Sequence, residues 1–390
     1  MFATIRAGAV ALSAALMLST AALADEPLKV GLILPMTGPF ASTGRQIDAA
    51  VKLYVQQHGD TVGGRKIEVL LRDDTGVAPE TTKRLAQELI TNDKAEIIAG
   101  FGLTPLAFAA APVATQAKTP MIVMSAATGS IVSKSPYILR TSCTLPQLTM
   151  PIAVWAAKNG IKKAFSIVTD YAPGIDAETT FKSVFTAAGG TKVGDVRPPM
   201  KNPDYAPFIQ RAKDAKADAV FVFVPSGEGT AVMKQFAERG LAAAGTKLIG
   251  TGDVVEDDIL DSMGPPALGS ITSHHYSVAH PSPENKAFVA AFEAANKGMR
   301  PNFMAVSGYD GMHLIYETLK KTGGKTGGDE FVAAAKGMSW ISPRGPISIE
   351  ADTRDITQDM YIRKTEMVDG HLYNVEFETM KAVKSTAEVK

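Results

Sequence analysis

Gly100-Phe101-Gly102-Leu103-Thr104-Pro105, a helical run from Leu106, then Pro120 and Ser125-Ala126-Ala127-Thr128-Gly129 form the stretch around which the chain is organised. An apolar run of strand length precedes each loop: Ala95 to Ala99, interrupted only by Glu96, and Met121 to Met124. Between them Leu106, Ala109, Ala110, Val113, Ala114 and Ala117 recur at helical spacing, so the segment reads as strand, helix, strand. Strands joined by a helical crossover lie parallel, which places both loops at carboxyl ends of a sheet, where open α/β sheets bind ligands. Thr104 reads as the helix N-cap with Pro105 at the first helical position, leaving backbone N–H groups free at the helix start. Such a terminus attracts a carboxylate. Ser125 and Thr128 add hydroxyl donors without a formal charge. From local pattern alone these loops equally fit ordinary turns between strand and helix.

The alternation continues outward in both directions. Lys29 to Leu34 is a near-continuous apolar strand followed by a Pro- and Gly-punctuated loop, Pro35 to Gly44, which contains Phe40 and Thr43. A helix carrying Ile47, Ala50, Val51 and Tyr54, a strand Lys66 to Leu71 and a helix Pro79 to Asn92 follow. This order predicts a parallel sheet covered on both faces. After a strand Tyr137 to Thr141 the pattern restarts as a second lobe, with a helix Leu148 to Asn159 that Pro151 should start or kink. Its strands Ala164 to Val168, Ala219 to Val224 and Lys247 to Ile249 lead into loops holding Tyr171 and Pro173, Pro225 and Ser226, and Asp253. Late helices, Pro283 to Asn296 capped by Ser282 and Ala305 to Thr322, complete these lobes. Asp369-Gly370 is a two-residue hairpin turn between the last two strands.

Residues 1–24 read as a secretory signal: Arg6, an uncharged run from Ala7, and Ala22-Leu23-Ala24 before an acidic start at Asp25, a composition that suits cleavage better than a membrane anchor. No Cys follows for lipid attachment, and no later run is long enough to span a bilayer. The 366 residues left are more than one core usually serves, so two domains are expected. Basic and acidic residues number 40 each, and loss of Arg6 leaves one net negative charge, which excludes nucleic acid and anionic membrane as expected partners. Cys143 is the only cysteine and reads as a buried packing residue at a crossover.

Catalytic and cofactor motifs fail on inspection. Gly324-Lys325-Thr326 lacks the glycine a phosphate loop needs five residues before it and follows a helix, so it reads as a helix-ending turn. Ser226 stands in no Gly-x-Ser-x-Gly elbow. His274 and His275 are adjacent and should point to opposite faces of a strand, and Asp73-Asp74 and Asp257-Asp258 read as solvated loop charges. No cofactor, metal or enzymatic activity is expected. What remains is a binding constellation: an aromatic face from Tyr171 suits an apolar ligand body, and Asp253 can accept from an ammonium or a hydroxyl, although each also fits a local role, in loop packing or as a helix cap.

Lys29-Val30-Gly31-Leu32-Ile33-Leu34-Pro35-Met36-Thr37-Gly38-Pro39, Arg72-Asp73-Asp74, Ser125-Ala126-Ala127-Thr128, Asp170-Tyr171-Ala172-Pro173-Gly174 and Gly308-Tyr309-Asp310, in this order, resemble the leucine/isoleucine/valine-binding protein family, periplasmic solute receptors of ABC importers. The resemblance implies a type I periplasmic-binding fold, two doubly wound α/β lobes joined by a three-strand hinge near Cys143, Ser273 and Glu350. Lobe one would combine 28–143 with 275–350, and lobe two 144–274 with 351–385. It implies a monomer that delivers a small carboxylate, an amino acid or an aromatic acid, to permease subunits; an exported sensor of the same fold is the alternative. By the same resemblance the ligand is held by the loop around Phe40 and Thr43, by Gly102, Thr104, Pro105 and Leu106, by Ser125, Ala126, Ala127 and Thr128, and from lobe two by Tyr171, Pro173, Pro225, Ser226 and Asp253. Thr104-Pro105 stands where amino-acid binders of the family often carry a serine pair, and Pro173 where they often carry tyrosine.

Overall fold

The computed structural model describes residues 26–76 and 78–386, so the signal-peptide expectation lies outside the described residues. The first sheet contains β1 (Leu28–Leu34), β2 (Thr61–Val62), β3 (Arg65–Asp73), β4 (Ile97–Gly100), β5 (Met121–Val123) and β6 (Ile138–Arg140) in the order β2-β3-β1-β4-β5-β6. All its pairings are parallel except the short β2–β3 contact. The second sheet contains β7 (Lys163–Val168), β8 (Thr191–Val196), β9 (Ala219–Phe223), β10 (Lys247–Thr251), β11 (Ile271–His274), β12 (Ser339–Ser342), β13 (Gly345–Ile349), β14 (Ile356–Val368) and β15 (His371–Val383). Its order is β12-β13-β14-β11-β10-β9-β7-β8, with β15 on β14. It is parallel from β11 to β8 and antiparallel beyond.

The unbroken apolar strands follow from burial on both faces. In β1, Val30, Leu32 and Leu34 enter one core while Ile33 enters the core on the other face. In β9, Phe221 and Phe223 face one core and Val220 and Val222 the other. The late helices Pro283–Ala295 and Phe303–Thr322 cross back onto the first sheet, where Phe288, Phe292 and Phe303 join its core. Residues 339–349 hydrogen-bond into the second sheet through β13, yet Ile349 and Trp340 pack against the core of the first.

Several local expectations need correction. The helix Leu145–Lys158 begins before Pro151, because Thr144 and Gln147 form a reciprocal capping box and Pro146 takes the first turn, leaving Pro151 inside the helix. Asp74 is buried and accepts from Gly76 N and Thr82 Oγ1, both at 3.0 Å, so it organises its loop rather than meeting solvent. Asp257 is likewise buried, accepting from Asn374 Nδ2 at 2.8 Å. β11 ends at His274, which frees His275 from strand geometry: the two rings lie 4.4 Å apart and both are buried. Among the described residues no group of three His, Cys, Asp or Glu side chains could hold a metal, and no helix is long and apolar enough to cross a membrane.

The crossovers are tied by buried charge. Arg344 donates to Thr141 O at 2.6 Å and Ser142 O at 3.3 Å and pairs with Asp310 at 2.8 Å, and Arg140 pairs with Asp355 at 3.0 Å. All four side chains are at most 1% exposed.

Candidate functional site

Carboxyl ends of strands from both sheets meet at one narrow cleft with about 30 Å³ of free space. From the first lobe come Phe40, Thr43, Gly102, Leu103, Thr104, Ser125, Ala126, Ala127 and Met304, and from the second Tyr171, Pro173, Phe223, Pro225, Ser226 and Asp253. Hydrogen bonds also cross between the lobes, Ser42 Oγ to Asp258 Oδ2 and Gly129 N to Asp176 Oδ2, both at 2.9 Å.

The first-lobe wall is a folded-back backbone. Gly100 has φ 106°, and a Cβ there would strike the Ile33 carbonyl, so the chain turns off β4 only with glycine. The helix Thr104–Ala117 begins one residue earlier than the sequence suggested: Leu103 is its N-cap and Thr104 is its first residue. Leu106 and Ala107 N–H groups both return to Leu103 O, and Pro105 has none to offer. Thr104 Oγ1 is buried and makes no hydrogen bond within the protein. Ser125 differs from expectation: its hydroxyl donates to Gly102 O at 2.8 Å, bracing the two loops against each other instead of pointing a proton into the cleft.

The second-lobe wall is aromatic with one acid. Tyr171, the N-cap residue of the helix Ala172–Ala187, stacks on Phe223 with centroids 6.0 Å apart and planes 14° from parallel. Asp253 sits in the short turn Gly252–Val255 rather than capping a longer helix. Its Oδ2 makes no hydrogen bond, and His274 Nε2 lies 3.7 Å away. Burial pushes the Asp253 carboxyl up to about 6, with the neighbouring Thr251 hydroxyl and, more weakly, the Arg363 guanidinium pulling the other way. Burial also raises the Tyr171 phenol, and the Asp253 charge adds to the shift.

Every residue expected from the sequence lines this cleft except three. Pro105 and Leu106 face a neighbouring cavity. Thr128 is buried behind the wall, where its carbonyl accepts from Arg140 Nη2 at 2.8 Å. Leu103, Phe223 and Met304 were not expected. Phe223 stands two residues before Pro225 at the end of a strand already recognised, so its position was readable; Met304 arrives from a distant helix start capped by Asn302 and carries no local signal.

Two α/β lobes that close on a cleft lined by backbone, hydroxyls, aromatic rings and one unpaired acid define a clamp-like receptor. The sequence matches the periplasmic binding protein family over residues 27–370. It is 44% identical over 366 residues to Leu/Ile/Val-binding protein homolog 6 of Brucella abortus, spanning 93% of this chain and 94% of that protein. In structure it resembles a solute-binding protein of an ABC transporter from Rhodopseudomonas palustris BisB5 in complex with 3,4-dihydroxybenzoic acid: 62% identity, TM-score 0.90, 92% of this chain and 98% of the other. An R. palustris solute-binding protein in complex with 4-hydroxybenzoate has 44% identity and TM-score 0.90 over the same shares. A leucine-binding protein from Thermotoga maritima shares the fold, at 20% identity and TM-score 0.81, over 91% of this chain and 99% of that one. The chain belongs to the periplasmic binding protein family, with the type I fold. It is a solute-binding protein of the ABC-transporter class, from a family of periplasmic binders rather than of enzymes.

Proposed function

We propose that this protein captures a benzoate-type aromatic acid bearing a hydroxyl away from its carboxylate, and presents it to the permease of an ABC importer. The carrying observation is that buried polar atoms without protein partners line opposite walls of an aromatic cleft, Thr104 Oγ1 in the first lobe and Asp253 Oδ2 with Ser226 Oγ in the second. A carboxylate satisfies a hydroxyl donor, and a phenol satisfies a lone carboxylate acceptor. Phe40, Tyr171 and Phe223 supply apolar faces for a ring between them. The dihydroxybenzoate bound by the 62%-identical relative supports this class. The moving units in this reading are 28–143 with 275–350 and 144–274 with 351–385, and ligand contacts from both favour the closed form.

Thermal melts and calorimetry with 3,4-dihydroxybenzoate, 4-hydroxybenzoate, benzoate and leucine test the proposal. At a hundredfold excess over Kd, a true ligand stabilises the native state by about 2.7 kcal/mol. The hydroxylated acids should raise the melting temperature most; a rise with leucine alone would overturn the reading. Thr104→Val should weaken every aromatic carboxylate by about 1.5 to 3 kcal/mol, the range for a hydrogen bond to a charged group. The same change should leave the unliganded protein as stable as before, since Thr104 Oγ1 has no partner there to lose.

A further inference from the structure

We propose that Phe40 is a partition that sets the length of the acid this protein accepts, separating the cleft from a larger chamber able to hold the overhang of a longer aromatic acid. This rests on the aromatic-acid reading of the cleft. The chamber, about 680 Å³, lies between the lobes, with Pro79, Pro105 and Leu106 on one wall and Met200 and Lys201 on the other. Among the described residues Phe40 is the only one common to the linings of chamber and cleft, and it is 3% exposed.

Two features hold the ring in place. Phe40, Leu103 and Leu106 form a small apolar cluster apart from the large cores, and Met200 packs against it from the second lobe. Behind the ring, Gly76 has φ 76°, and a Cβ there would lie 3.1 Å from Phe40 Cδ2 and 3.0 Å from Pro35 Cβ, so the loop lets the ring sit back only because that residue is glycine. The partition is therefore completed by contact between lobes. An acid whose carboxylate is attached directly to its ring is short enough to stay on the cleft side of Phe40. One lengthened by a two-carbon spacer collides with Phe40. The chamber beyond has room and apolar walls for such a molecule, and its polar groups are the Lys201 ammonium, the Asn202 amide and the Glu228 carboxyl.

Calorimetry on the mature chain with 4-hydroxybenzoate and 4-hydroxycinnamate tests the partition. The wild-type protein should favour the benzoate by about 100-fold, within the range that a small steric misfit confers. In Phe40→Ala that ratio should fall at least about tenfold, a change of about 1.4 kcal/mol. Adding Met200→Trp to Phe40→Ala refills the chamber from its opposite wall and should restore the preference. Phe40→Leu, which keeps apolar packing, should give an intermediate ratio even if the alanine variant fails to fold. An unchanged ratio in variants that still bind 4-hydroxybenzoate overturns the partition and leaves the functional reading intact. A wild-type protein that binds neither acid overturns both.

Discussion

Asp253→Asn is expected to weaken 4-hydroxybenzoate binding about 10- to 100-fold while moving benzoate affinity by less than about threefold, because only the hydroxylated acid donates to this carboxylate. The acceptor must be ionised to take the phenol's proton in a charge-assisted bond. With its carboxyl pushed up to about 6 by burial, wild-type affinity for the hydroxylated acid should fall as pH drops through 6, and the asparagine variant should lack that inflection. Stability runs the other way. The folded state holds a proton that the unfolded chain, with its ordinary value of 3.8, has lost, so the unliganded protein loses stability as pH rises from 3.8 to about 6 and does not regain it above. Asn removes the ionised group, and the variant should exceed wild type at pH 7.5, by an amount on the order of 1 to 3 kcal/mol, but not at pH 3.5. Parallel stability profiles for the two proteins between these pH values would show that the buried acid is satisfied by something else.

That same residue marks the limit of what the sequence conveys. The strand-helix alternation, the paired loops after β4 and β5, and the loops after β7, β9 and β10 are all legible, because buried parallel strands are written as unbroken apolar runs with turn residues at their ends. Asp253 is legible as an acid at the end of a strand, yet its lack of a partner depends on how two lobes meet. Burial of Asp74 and Asp257 is not legible for a related reason: a pair of aspartates in a loop looks solvated until the groups that satisfy them arrive, Thr82 eight residues on and Asn374 from β15. The roles of Ser125 and Thr128 cannot be separated by composition, since Ser125 turns its hydroxyl to the Gly102 carbonyl while Thr128 is buried and meets Arg140 through its own carbonyl. Phe40 shows the same limit at the largest scale, since its cluster includes Met200, 160 residues later in the chain.

Arg344→Ala is expected to lower unfolding free energy by about 3 to 5 kcal/mol, the cost of breaking a buried ion pair from one side. The guanidinium serves three partners at once, the Thr141 and Ser142 carbonyls and the Asp310 carboxylate, and its own carbonyl accepts from Tyr361 Oη at 2.7 Å. Asp310 retains Trp340 Nε1 at 2.9 Å and Ser342 Oγ at 2.8 Å in the variant, but two neutral donors compensate a buried negative charge poorly. Removing both charges together separates the two origins of the loss. In Arg344→Met with Asp310→Leu the uncompensated charge is gone, and the double variant should recover a large part of the stability lost in Arg344→Ala. Urea denaturation of the two variants against wild type measures this directly. If the double variant is as unstable as the single one, the role of Arg344 lies in its bonds to the Thr141 and Ser142 carbonyls, which the double variant also removes, and the crossover backbone is held by geometry that an apolar side chain cannot replace.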